Sequence, residues 1–66
     1  MLNQVDNTIT AFKKAIEIKP KYADAHFNLG MVFAAIGKTD EANAEYDVLK
    51  TLDKNLAQKL KTAIEK

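Results

Sequence analysis

Ten lysines against nine acidic side chains leave this 66-residue chain with a formal charge of only +1, and it has one histidine and no cysteine. Without cysteine there are no disulfides or thiolate metal sites, and His26 alone cannot build a zinc site, so no metal and no cofactor is expected. The balanced charge, the lack of arginine and the lack of any apolar run near the ~20 residues that span a bilayer argue against specific nucleic-acid binding and membrane insertion.

A chain this short buries only about 60% of the surface its unfolded form exposes. Its core is expected to supply no more than ~3–5 kcal/mol unless a disulfide, a metal or a partner subunit helps. With the first two excluded, helical packing and a second chain are the remaining sources. No charged-then-apolar segment opens the chain, so a cytoplasmic location is expected.

Apolar residues recur three and four apart almost throughout, and no stretch alternates as a half-buried strand does, so the fold class is all-α with about four helices. In the first helix Val5, Ile9, Phe12 and Ile16 form one stripe, widened by Ala11, Ala15 and Ile18. Pro20 ends it, because proline disfavours the helical conformation of the residue before it. A second helix is expected from Tyr22 to Ile36, stopped by Gly37, whose missing Cβ permits the left-handed turn. Thr39 is placed to cap a third helix, with Asp40 and Glu41 meeting the positive end of its dipole and Ala42, Tyr46, Leu49 and Leu52 forming its buried stripe. Asp53 or Asn55 is placed to cap a fourth, on which Leu56, Leu60, Ala63 and Ile64 share a face.

Sliding the chain by 34 residues sets Phe12 on Tyr46, Ile18 on Leu52 and Ala23 on Ala57. A period of that length with helix-turn-helix content marks a repeat architecture. Residues Ala23 to Gly30, followed by Phe33, Ala42 and Tyr46, resemble the tetratricopeptide repeat. Phe12, Ala15 and Pro20 resemble the second half of a preceding unit. Departures stand at His26, where the family usually has a large apolar residue, at Leu49 in place of a small one, at Lys54 in place of proline and at Thr8 in place of alanine. The resemblance implies an antiparallel helix-turn-helix array in one domain over 1–66. Residues 1–20 would be the second helix of a partial repeat, 22–53 a full repeat and 54–66 a C-terminal capping helix.

What the resemblance implies about function is a protein or peptide interaction module without catalysis. It places Asp24, Phe27, Asn28, Met31, Ala34 and Ala35 on a peptide groove, with Asn28 available to a ligand backbone. A carboxylate clamp of the kind some members use is not supported, since Met31 and Ala35 carry no charge. The fourth helix closes one end of such an array. At the other end Val5, Ile9, Phe12 and Ile16 are expected to be partly uncovered and to drive self-association, with a homodimer favoured because arrays of this kind need about three repeats for stability. A purely structural homo-oligomerisation unit, or a piece of a longer array, is the alternative.

No enzymatic constellation competes with this reading. The chain has no serine or cysteine to act as nucleophile beside His26, and Asp40 and Glu41 are adjacent, which points them to different azimuths of a helix. Lys13, Lys14, Lys19 and Lys21 gather near the end of the first helix, where they either bind an anion or complement the helix dipole.

Overall fold

The computed structural model describes residues 4–65. Residues 1–3 and Lys66, which the sequence division assigns to the first and last segments, lie outside the described residues. Four helices follow one another: α1 (Gln4–Ile18), α2 (Ala23–Ala35), α3 (Thr39–Leu52) and α4 (Lys54–Glu65).

Each boundary has a local cause. α1 stops two residues before Pro20, with Lys19 N donating to Ala15 O. The expected ends of α2 are its flanking cap residues: Tyr22 O accepts from His26 N, and Ile36 N donates to Val32 O. Gly37 then takes φ +81°. Lys38 N donates to Phe33 O at 2.8 Å and Gly37 N to Ala34 O at 3.3 Å, the paired closing bonds that left-handed glycine makes possible at a helix end.

That turn displaces the expected cap of α3. Lys38 stands at the cap position without a side-chain bond, and Thr39 is already helical. The reason is that the chain re-enters a helix immediately after the glycine turn, so the Lys38 carbonyl is the first acceptor, taking Ala42 N at 3.0 Å. At α4 the cap is Asp53, whose Oδ1 accepts from Asn55 N at 3.0 Å and Leu56 N at 3.1 Å.

The helices assemble around α2, which packs against each of the other three; α3 also packs against α4, and among the described residues the backbone of α1 lies close to that of α2 and of no other helix. One core cluster joins Leu29 and Phe33 of α2 to Ala42 of α3, with Ile9, Phe12 and Ile16 of α1 laid against it. A second joins Leu49 of α3 to Ala57 and Leu60 of α4, with Phe27, Tyr46 and Leu56 around it. Ile64 touches both and makes the core continuous. The large Leu49 is fully buried opposite the small Ala57, which accommodates its departure from the family pattern.

Gly30 marks the tightest approach. A Cβ built there lies 2.5 Å from Leu60 Cδ2 and 3.2 Å from Glu45 Cβ, so the missing side chain is the space that α4 and α3 fill. The molecule measures 37 × 30 × 15 Å, and its thin dimension is that of two helix layers.

Candidate functional site

The six groove residues all lie on α2, but they do not share one environment. Asp24, Asn28, Met31 and Ala35 are exposed and spaced by four, three and four, so they form one open stripe along the helix. Phe27 and Ala34, seven residues apart, are half-buried on one side of that stripe at different heights along the helix: Phe27 packs against the Leu49–Ala57–Leu60 cluster and Ala34 against Leu29, Phe33 and Ala42. Phe27, Met31 and Ala34, spaced by four and three, share an apolar face by helix periodicity, and that face is divided between the chain's own core and solvent. What remains open is a mixed surface of one carboxylate, one amide, one thioether and one methyl.

The α1 stripe is half-buried throughout. Ile9, Phe12 and Ile16 reach the α2 core, Val5 lies one turn before them, and no residue of α1 is fully buried. Their apolar surface is thus partly covered from within the same chain.

His26 is among the most enclosed polar groups, with 6% of its surface exposed. Its Nε2 donates to the Pro20 carbonyl at 2.8 Å, and its Nδ1 meets Glu45 Oε1 at 2.6 Å. Glu45 is not evident as a partner in the sequence, being 19 residues away. The antiparallel pairing of α2 with α3, once a loop around Gly37 is assumed, is the signal that brings the two together. In place of a large apolar residue, the chain has a polar link that ties the α1–α2 turn to α2 and α3. Both ring nitrogens are engaged in this link.

Two further surfaces were not expected as sites. Ile18 and Tyr22 are large apolar residues left 70% and 44% exposed at the α1–α2 turn. Between α3 and α4, the ammonium groups of Lys50 and Lys61 lie 5.2 and 5.8 Å from the centre of the Tyr46 ring, and Lys50 also pairs with Asp47 at 3.2 Å. Among the described residues no three metal-ligating side chains gather, and no helix is long and apolar enough to cross a membrane.

No curated protein and no solved structure matches the chain. A family model described as TPR repeat does match, over residues 2–37, a stretch that holds α1, the Lys19–Tyr22 turn, α2 and the glycine that stops it. Over half of the chain falls within that match, and the remainder continues the same helix-turn-helix packing: the chain belongs to the TPR repeat family.

Proposed function

We propose that this chain is a protein-interaction module with no reaction of its own, in which residues 22–53 form the full repeat between a partial repeat and a capping helix. The observation that carries the reading is the open stripe of Asp24, Asn28, Met31 and Ala35, presented by a helix whose other faces are packed against all three neighbours. Such a surface is rigid, and rigid surfaces lose little ordering entropy on binding. Phe27 and Ala34 border the stripe and set its floor. Titration with a peptide library tests the proposal: saturable binding weakened by Asn28→Ala and Met31→Ala supports it, and binding indifferent to both rejects it.

Self-association through Val5, Ile9, Phe12 and Ile16 is the second part of the reading. It is favoured by the half-buried state of these residues and by α1 packing chiefly against α2. A second copy laid across α1 would complete their burial, with the two-fold arrangement usual for homodimers. Sedimentation equilibrium at micromolar concentration decides it, and a mass that stays monomeric over that range removes self-association from the proposal. If oligomers persist while no peptide binds, the purely structural alternative holds instead.

A further inference from the structure

The turn between α1 and α2 forms a shallow, open hollow of about 420 Å³ lined by Lys19, Pro20, Lys21 and Tyr22. Pro20 and Tyr22 supply apolar rings to this lining, and Lys19 and Lys21 are exposed side chains with apolar stems and charged ends. Ile18, the most exposed large apolar residue described, is adjacent in sequence.

The hollow is held open by the backbone. Tyr22 N donates to Lys19 O at 3.0 Å across the turn, and Lys19 N is tied to Ala15 O. Proline fixes its own φ. The Pro20 carbonyl is held from below by His26 Nε2, and His26 is held in turn by Glu45. A side chain entering this hollow therefore meets a wall that is already ordered.

Charge sets the chemistry of the rim. Lys19 directly follows the last residue of α1, and Lys21 stands just ahead of α2, whose N-terminal end is positive. Neither ammonium takes part in an ion pair among the described residues. Lys13 and Lys14 are exposed on α1 behind them, and Glu17 and Asp24 are the acids nearby in sequence. Cations outnumber anions around an apolar hollow, so an anionic partner is complementary to it.

We propose that this turn is a docking surface separate from the α2 stripe, and that its partner is an acidic peptide segment that inserts one large apolar side chain against Pro20 and Tyr22 while its carboxylates meet Lys19 and Lys21. The partner is anionic because the rim is cationic, and it carries an apolar anchor because the hollow offers no other chemistry.

Fluorescence anisotropy with a labelled short peptide tests this, using one phenylalanine flanked on both sides by aspartates. Saturable binding is expected, with affinity falling as salt rises. Tyr22→Ala, and separately the pair Lys19→Glu with Lys21→Glu, should each weaken it by about tenfold or more, as truncating a central anchor or reversing a paired charge does. These side chains are exposed, so the circular dichroism should be unchanged. Replacing the aspartates by asparagines should weaken binding comparably, and Met31→Ala should leave it intact, which separates this surface from the stripe. Absence of saturable binding, binding indifferent to the turn variants, or binding lost in Met31→Ala overturns the proposal. So does a sedimentation result in which Tyr22→Ala dissolves an oligomer, because the occupant is then a second copy of the chain.

Discussion

At position 26 two ring nitrogens face two oxygens: Nε2 donates to the Pro20 carbonyl, which only accepts, and Nδ1 meets Glu45 Oε1 at 2.6 Å. The link is nearly enclosed, with side-chain exposures of 8% for His26 and 16% for Glu45. Removing the acid leaves Nδ1 without its partner, and Glu45→Ala is expected to cost about 1–3 kcal/mol in chemical denaturation. Glu45→Gln should cost less, because its amide N–H can donate to an unprotonated Nδ1 while Nε2 still serves Pro20. Equal losses in the two variants would mean that packing, not the hydrogen bond, holds this position.

Among the helices, Gly30 decides how closely α4 can seat. Alanine there gains about 1 kcal/mol in helix propensity, yet its methyl would meet Leu60, which is fully buried and has no open direction to retreat into. Overpacking of that kind costs typically ~1–3 kcal/mol, so Gly30→Ala should lower the melting temperature, and a rise would show that Leu60 repacks freely. At the start of α4 the two bonds to Asp53 Oδ1 predict a loss of about 1 kcal/mol in Asp53→Ala, read from the same melts.

Element order, the proline stop and the glycine stop were legible because each depends on neighbours in sequence: Pro20 acts on Lys19, and Gly37 acts through Phe33 and Ala34. Asp53 and Asn55 stood as equal candidates until the geometry chose between them. The Thr39 cap failed because the turn at Gly37 spends one residue fewer than a capped loop requires. For the groove, helix periodicity puts Phe27, Met31 and Ala34 on one face, whereas the open stripe of Asp24, Asn28, Met31 and Ala35 emerges only with the burial pattern. That Phe27 and Ala34 turn into two different clusters was not legible, since it depends on where α3 and α4 lie. The same holds for Glu45 beside His26 and for Leu60 over Gly30, contacts between residues 19 and 30 positions apart.

For the molecule as a whole, the arrangement is uneven. Among the described residues, α2, α3 and α4 each pack against two or three neighbours and contain the fully buried residues, whereas α1 packs chiefly against α2 and contains none. Hydrogen–deuterium exchange should therefore find the amides of α1 exchanging faster than those of α2 around Leu29 and Phe33, which should be the slowest. Equal protection in all four helices would indicate that a second copy clamps α1, and raising the protein concentration should then slow its exchange further. α1 is thus attached chiefly through one neighbour. Its detachment would uncover Leu29 and Phe33, against which Ile9, Phe12 and Ile16 are laid, so this one contact decides whether the core is closed or open.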